Sequence, residues 1–324
     1  MAIGKKKEAE GVKVLVTGVN GQLGYDVMNE VARRGWLGIG SGRTATYSGL
    51  CHTIPVMQMP YVPLDITDGA AVRQQIGEIR PDVVIHCAAW TAVDQAEMPE
   101  NSVAVWAVNV QGTRYIAEAC RDIGCKMIYV STDYVFNGQG TQPWAADSHS
   151  CQPVNAYGES KLAGEQAVSS VLEKYFIVRI SWVFGKNGNN FVKTMLRLGK
   201  QYDTLRVVND QIGRPTYTSD LARLLVDMAE TDAYGYYHAT NEGPYISWYE
   251  FACEIFRQAG YTVQVTPVTT AQYGVTGAVR PYNSRLDTSK LEDKGFQRLP
   301  DWRDAVGRYL YELGIHDAKQ QEVQ

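Results

Sequence analysis

The length, composition and charge of the chain exclude several classes of protein. Its 324 residues are 45% hydrophobic and 20% charged, which is typical of a globular protein with a large buried core. The net charge of −4 predicts no nucleic-acid partner, because nucleic-acid binding needs clustered Lys and Arg. No apolar run approaches the roughly 20 residues that cross a bilayer, and the charged first residues lack the apolar core of a signal peptide. We therefore expect a cytoplasmic protein without a membrane partner.

Taken in chain order, short apolar strands alternate with amphipathic segments of helical length. Between the first two strands, Leu23, Val27 and Val31 repeat every four residues and Gly35 ends the predicted helix. The alternation predicts an α/β fold with a Rossmann-type doubly wound parallel sheet, whose strands are apolar because both faces are covered. The predicted strands span 12–17, 36–40, 82–88, 126–131, 176–181 and 205–208.

The composition changes toward the end of the chain, where Pro, Tyr and Trp concentrate in 214–217, 243–249 and 280–285. We expect a smaller C-terminal substrate-binding lobe there, because ligands bind beyond the carboxyl ends of the strands and at domain junctions. The predicted division is a flexible tail over 1–11, an NADP-binding domain over 12–185 with returns near 205–240, a substrate-binding lobe mainly over 186–315, and a flexible tail over 316–324.

A glycine-rich turn, TGVNGQLG over residues 17–24, follows the first strand. Gly18 permits the tight turn, Gly21 lets backbone amides approach a pyrophosphate, and Gly24 lets the helix pack closely on the sheet. The free amides and the dipole of the helix N-terminus favour negative charge. The turn therefore predicts a dinucleotide site, with cofactor contacts from Gly18, Asn20, Gly21, Gln22 and Leu23.

The end of the second predicted strand bears on the choice between NAD and NADP. An acidic residue there would bind the ribose hydroxyls of NAD, but the sequence over 37–43 is LGIGSGR. Its small residues leave room for a 2′-phosphate, and Arg43 offers a positive charge. We predict NADPH as the cofactor; the alternative is that Arg43 is a solvated loop residue and that NADH is also accepted.

Tyr157 and Lys161 lie one turn apart on the same face of a predicted helix. A free tyrosine has a pKa near 10, and a nearby ammonium favours its phenolate. The pair is therefore predicted to act as an acid and base, with Lys161 also donating to the nicotinamide ribose. Considered alone, the motif is common by chance and is more simply interpreted as an exposed pair on a helix.

Hydroxyl groups follow the strand predicted over 126–131. Thr132 is expected to donate a hydrogen bond to a substrate carbonyl oxygen and to stabilise the oxyanion together with Tyr157. Ser131 and Asp133 lie beside it as candidate substrate contacts, although a capping role is the simpler interpretation for Asp133.

The glycine turn, Thr132 and the Tyr157/Lys161 pair occur in the order and at the spacing of the short-chain dehydrogenase/reductase superfamily, which the chain resembles. The resemblance implies that a nicotinamide cofactor supplies hydride to a carbonyl carbon. It also implies that Asn109 is a cofactor-site residue that helps to hold the lysine, with a core polar residue as the alternative. Further cofactor contacts implied by the resemblance are Asp65, Ile66, Cys87, Ala88, Ala89 and Thr91.

Several segments between residues 12 and 313 resemble more narrowly the dTDP-4-dehydrorhamnose reductase family. They are GQLG over 21–24, AAWTAVD over 88–94, STDYVF over 131–136, SWVFG over 181–185, DQIGRPT over 210–216 and RPYNS over 280–284. The resemblance implies NADPH-dependent reduction of the 4-keto group of dTDP-4-dehydro-6-deoxy-L-mannose, the last step of dTDP-rhamnose biosynthesis.

A nucleotide-sugar substrate gives several of these residues a predicted role. Trp182 would be a wall for the apolar face of a deoxysugar, and Arg280 would meet the diphosphate. Asn190, Gln211 and Asn283 would bond sugar hydroxyls or the base. The alternatives are core packing for Trp182 and a surface ion pair for Arg280.

The family also implies a homodimer that is in some members linked by magnesium. Glu30, Glu78 and Glu118 are more simply solvated helix residues, so we predict no catalytic metal. Two other functions stay open: an epimerase or dehydratase that retains NAD, and a non-catalytic NADP-binding regulatory subunit. The presence of both Tyr157 and Lys161 argues against the regulatory subunit, whereas an epimerase or dehydratase would share this pair.

Overall fold

Seven parallel strands form the central sheet of the molecule, which a computed structural model describes over residues 11–50, 58–148, 150–274 and 277–315. The predicted tails, 1–11 and 316–324, lie outside the described residues except for Gly11. The strands are β1 Lys13–Thr17, β2 Leu37–Gly42, β3 Tyr61–Pro63, β4 Val83–His86, β5 Lys126–Thr132, β6 Tyr175–Ile180 and, at one edge, Gly235–His238.

The order of the strands creates a switch point in the middle of the sheet. Strands β2 and β3 lie on one side of β1, whereas β4, β5, β6 and the edge strand follow on the other. The chain therefore leaves β1 and β4 toward opposite edges of the sheet, and a crevice opens at their carboxyl ends.

Helices cover both faces of the sheet. In β1, Val14 and Val16 pack toward the helices Gln22–Arg33 and Thr218–Ala229, whereas Leu15 packs toward the opposite layer. This alternation of buried side chains explains why the strand is apolar throughout. The opposite layer contains the helices Gly69–Ile79, Thr113–Ile123 and Ala156–Ser169. The predicted Rossmann-type fold class is confirmed.

Short helical elements lie between the longer helices and strands of the sheet domain and of the C-terminal part of the chain. The α-helical ones are Val93–Ala96, Ser102–Trp106, Thr270–Tyr273 and Ser289–Asp293; the 3₁₀ turns are Pro99–Asn101 and Asp133–Val135, and a π-helical segment spans Ala107–Gly112.

The C-terminal part of the chain builds a lobe above the carboxyl edge of the sheet. Its helices are Phe191–Gly199, Trp248–Ala259 and Trp302–Glu312, around a core that includes Phe184, Phe251 and Tyr309. Its two-stranded sheets pair Thr204–Val208 with Gln264–Val268, Ile212–Gly213 with Ile246–Ser247, Val183–Phe184 with Thr216–Tyr217, and Asn241–Glu242 with Leu299–Asp301.

The structure corrects two details of the predicted sheet. The strand predicted over 205–208 exists as Thr204–Val208, but it pairs inside the lobe, so the return to the first domain is made by Thr218–Ala229 and Gly235–His238. The sequence analysis missed Gly235–His238 and Tyr61–Pro63. Both are short edge strands, and their Gly and Pro weaken the strand pattern. The boundary at residue 185 stays a prediction.

The described ranges contain no helix with both the length and the apolar content needed to cross a membrane.

Candidate active site

A cavity of about 630 Å³ opens at the switch point between β1 and β4. All but one of the residues predicted to contact the cofactor line it. They are Gly18, Asn20, Gly21, Gln22, Leu23, Arg43, Asp65, Ile66, Cys87, Ala88, Ala89, Thr91, Tyr157 and Lys161. Of the predicted substrate contacts, Ser131, Thr132, Asp133 and Trp182 also line it.

Two glycines of the turn after β1 have no room for a side chain. Gly18 has a φ of 70°, and a Cβ there would lie 2.7 Å from the backbone of Ala88. A Cβ on Gly24 would lie 2.4 Å from the carbonyl oxygen of Gly18. The helix Gln22–Arg33 then begins without a side-chain cap, so its first amides are available to an anionic ligand. The turn fits the pyrophosphate of a dinucleotide.

The carboxyl end of β2 presents Arg43 to the cavity as an exposed side chain. Asp65 also lines the cavity and accepts hydrogen bonds from the amide (2.9 Å) and hydroxyl (2.8 Å) of Thr67. These hydrogen bonds, with a smaller contribution from Arg43, hold the pKa of Asp65 below its usual value. An exposed guanidinium at this position suits a ribose phosphate.

The helix Ala156–Ser169 carries Tyr157 and Lys161 into the cavity. Asn155 caps the helix by accepting a hydrogen bond from Gly158 N at 2.8 Å. Lys161 Nζ donates to Val130 O at 2.7 Å and lies 4.1 Å from the centroid of the Tyr129 ring. Burial lowers the pKa of Lys161 to about 7, while the Glu165 carboxylate favours its charged form. The ammonium is therefore held in place by the end of β5.

The phenol of Tyr157 is buried beside Thr132. Burial raises the pKa of Tyr157 above its usual value, and a hydrogen bond with the Thr132 side chain partly opposes this shift. The Tyr134 ring meets the Tyr157 ring edge-on at 5.5 Å. Tyr157 is thus a neutral acid that can give up its proton when a basic oxygen develops beside it.

Thr132 and Asp133 form a short polar turn below the phenol. Thr132 Oγ1 accepts a hydrogen bond from Tyr134 N at 3.3 Å and lies 3.1 Å from Asp133 Oδ1. The turn cap is therefore Thr132 rather than Asp133. Burial raises the pKa of Asp133 to about 6, so this carboxyl is partly protonated near neutral pH.

Ser131 contacts a buried ion pair that the sequence analysis missed. Its hydroxyl donates to Glu165 Oε1 at 2.5 Å, and Arg179 donates to both oxygens of the same carboxylate at 2.9 and 2.7 Å. Glu165 is 1% and Arg179 3% exposed at the side chain. The sequence signal was the position of Glu165, one turn beyond Lys161 on the same helix face.

Asn109 lies behind the cavity wall, in the π-helical segment Ala107–Gly112. Its side chain accepts from Trp90 N at 2.8 Å and donates to Ser160 Oγ at 2.9 Å. Ser160 in turn donates to Tyr157 O at 2.8 Å. Asn109 therefore ties the cavity wall to the helix that carries Tyr157.

Trp182 is the predicted substrate residue with the most unusual backbone. Its φ of 49° is rare for a bulky residue and stores strain, as often occurs at functional sites. The indole lines the cavity and stacks on Trp248, with ring centroids 3.8 Å apart. A strained, stacked indole gives the cavity a flat apolar wall.

Four other predicted substrate residues lie outside the cavity lining. Asn190 caps the helix Phe191–Gly199 through Lys193 N. Gln211 donates to Thr270 Oγ1 at 3.0 Å. The remaining two are Asn283, which is buried and donates to Gln142 O at 2.9 Å, and Arg280, which binds both oxygens of Asp94.

Within the described part of the chain, no three His, Cys, Asp or Glu side chains cluster as a metal site would require. The glutamates considered for magnesium contact other side chains. Glu30 pairs with Arg33 and Arg34, Glu118 lies 4.0 Å from Arg73, and Glu78 accepts from Gln74.

Comparisons with known proteins agree over nearly the whole chain. The family model described as "RmlD substrate binding domain" matches residues 12–315. The dTDP-4-dehydrorhamnose reductase of Streptomyces griseus is 43% identical over 298 residues, covering 90% of this chain and 91% of the relative. The dTDP-4-keto-6-deoxy-D-glucose reductase of Streptomyces niveus is 36% identical over 294 residues, covering 90% and 94%.

The crystal structure of a relative also resembles this chain over nearly its whole length. The dTDP-4-dehydrorhamnose reductase of Bacillus anthracis in complex with NADP superposes with a TM-score of 0.82 at 40% identity, covering 93% of this chain and 99% of that one.

Proposed function

Because the chain belongs to the dTDP-4-dehydrorhamnose reductase family, we propose that it reduces the 4-keto group of dTDP-4-dehydrorhamnose to give dTDP-L-rhamnose. The family predicted from the sequence is confirmed, and the chain is an NADP-dependent oxidoreductase of this family. The observation that carries the proposal is the placement of Thr132, Tyr157 and Lys161 in one cavity with the glycine turn.

NADPH is the cofactor that the site supports best. The amides after Gly21 suit its pyrophosphate, and the exposed Arg43 guanidinium would pair with its 2′-phosphate. The NADP complex of the Bacillus anthracis relative supports this choice. When bound, NADPH supplies the hydride that reduces the carbonyl carbon.

The residues of the chain supply the proton and the orientation. Thr132 and Tyr157 donate hydrogen bonds to the keto oxygen and stabilise the negative charge that develops on it. Tyr157 then transfers its proton to this oxygen, and the Lys161 ammonium stabilises the phenolate left behind. Trp182 packs against the apolar face of the deoxysugar and holds the keto group toward Tyr157.

The Streptomyces niveus relative makes a second substrate worth testing, dTDP-4-keto-6-deoxy-D-glucose. We propose to measure NADPH oxidation with each of the two keto-sugar nucleotides at equal concentrations. A higher kcat/KM with dTDP-4-dehydrorhamnose supports the proposal. Turnover with the D-glucose derivative alone would overturn the substrate assignment, and NAD that copurifies and is recycled without net oxidation would indicate an epimerase or dehydratase.

The homodimer implied by the family resemblance stays a prediction. Analytical ultracentrifugation with and without EDTA would test both the dimer and any link by magnesium.

A further inference from the structure

The loop that follows Trp182 in the chain contacts the glycine turn through a residue that does not line the cavity. Asn187 Nδ2 donates to the carbonyl oxygens of Asn20, at 2.8 Å, and of Gly21, at 3.3 Å. The side chain is buried, at 6% exposure, and lies outside the cavity lining. Asn187 therefore touches the backbone of the turn without facing the space that a cofactor would occupy.

The loop itself is held firmly. Lys193 Nζ donates to Lys186 O at 2.6 Å and to Gly188 O at 2.7 Å, on either side of Asn187. Asn190 Nδ2 contacts Gln22 Oε1 at 2.9 Å, so a second asparagine links the loop to the first residue of the cofactor helix. These contacts join the loop to three consecutive residues, Asn20, Gly21 and Gln22, where the glycine turn enters the helix.

Asn187 binds two carbonyls of the glycine turn. The Asn20 carbonyl belongs to the peptide whose amide, Gly21 N, donates to Gly18 O at 2.9 Å and so closes the turn. The Gly21 carbonyl shares its peptide with the amide of Gln22, the first residue of the uncapped helix. A hydrogen bond to a carbonyl polarises its peptide and strengthens the amide as a donor. It also fixes the plane of the peptide, and with it the direction of the N–H.

We propose that Asn187 is a positioning residue for the dinucleotide, which holds the glycine turn in the conformation that binds the pyrophosphate. The proposal rests on the proposed function, since it takes NADPH as the ligand. It gives the C-terminal lobe a part in cofactor binding. The same loop continues from Trp182, so one segment supports both the pyrophosphate site and the predicted substrate wall.

The test compares two neighbouring asparagines. Asn187→Asp keeps the shape of the side chain, removes the donor and places negative charge against two carbonyls. Asn189→Asp makes the same chemical change at an exposed position. Dissociation constants are measured by calorimetry for NADPH and for adenosine 2′-monophosphate, which carries the 2′-phosphate but no pyrophosphate.

We expect Asn187→Asp to weaken NADPH binding about tenfold, the size of one lost hydrogen bond, and to change 2′-monophosphate binding less than twofold. Asn189→Asp should change neither. The KM for NADPH should rise with little change in kcat. An equal loss of affinity for both ligands, or an unchanged affinity for NADPH, would overturn the proposal.

Asn187→Ala removes the donor without adding charge and serves if the aspartate variant does not fold. Asn187→Ala should weaken NADPH binding severalfold and leave the affinity for adenosine 2′-monophosphate nearly unchanged. Wild-type protein that binds 2′-monophosphate but not NADPH would instead overturn the proposed function, independently of either variant.

Discussion

The cofactor side and the substrate side of the cavity differ in how well their lining residues could be predicted from sequence patterns. On the cofactor side, every predicted contact except Asn109 lines the cavity. On the substrate side, Asn190, Gln211, Arg280 and Asn283 lie outside the lining and bond to other protein groups. The cofactor side is built from a backbone turn and strand ends, whose positions follow from the topology. The substrate side is built from loop side chains, whose directions depend on distant partners.

The largest expected effect tests the cofactor side. Tyr157→Phe removes the proton donor but keeps the ring that packs against Tyr134. Because general acid catalysis contributes roughly 10²- to 10⁴-fold, kcat should fall by that factor, while the melting temperature and NADPH affinity stay near wild type. Stopped-flow measurement of NADPH oxidation checks this; a variant with wild-type kcat would remove Tyr157 from the mechanism.

The buried ion pair behind the cavity should dominate stability. Glu165→Gln leaves the Arg179 charge uncompensated, so the free energy of unfolding should fall by about 3–5 kcal/mol in urea titrations. Glu159→Gln, on the same helix but exposed, should change it by less than about 0.5 kcal/mol. A similar fall in the free energy of unfolding of both variants would show that the buried ion pair contributes no more to stability than the exposed Glu159.

Asp26, on the cofactor helix, should make stability depend on pH. Burial raises the pKa of Asp26 to about 7, against a hydrogen bond with Thr218. The folded state then holds a proton that the unfolded state releases near pH 3.8, so the free energy of unfolding falls as pH rises from about 4 to 7, and this contribution is constant above pH 7. Asp26→Asn lacks this dependence. Its stability relative to wild type should rise by about 2.6 kcal/mol between pH 5 and pH 8, and a constant difference would contradict the assignment.

Arg43 tests the preference for NADPH. Arg43→Ala should raise the KM for NADPH about tenfold, the loss of a charge-assisted hydrogen bond, and leave the KM for NADH unchanged. Arg73→Ala, an exposed arginine on the helix Gly69–Ile79, is the matched control. If Arg43→Ala raises the KM for NADPH and the KM for NADH by the same factor, Arg43 does not bind the 2′-phosphate.

A substitution of Asn283 distinguishes a role in substrate binding from a role in stability. Asn283→Ala leaves the Gln142 carbonyl without its donor, so stability should fall by about 1 kcal/mol while the KM for the sugar nucleotide stays constant. A raised KM at unchanged stability would instead support the substrate contact predicted from the sequence.

Sequence reasoning succeeded where one local repeat fixes the geometry. The i, i+4 spacing placed Tyr157 and Lys161 on one helix face, and the glycine spacing placed Gly18 and Gly24 against β4 and β1. It failed where the partner is far along the chain. Asn190 contacts Gln22, 168 residues away, and Asn283 contacts Gln142, 141 residues away. No local periodicity reports such contacts, so the sequence did not show how these amides bond within the protein. Their contact with the sugar nucleotide stays a prediction.

The path of the chain between the sheet and the lobe limits how this molecule can be divided. The lobe contains Thr204–Val208, but the chain then returns through Thr218–Ala229 and Gly235–His238 before entering the lobe again. A lobe transplanted from a relative would therefore need several cuts, one of them beside an edge strand of the sheet. With Trp182 in the substrate contact proposed above, substitutions around it are a simpler way to alter sugar specificity than exchange of whole segments.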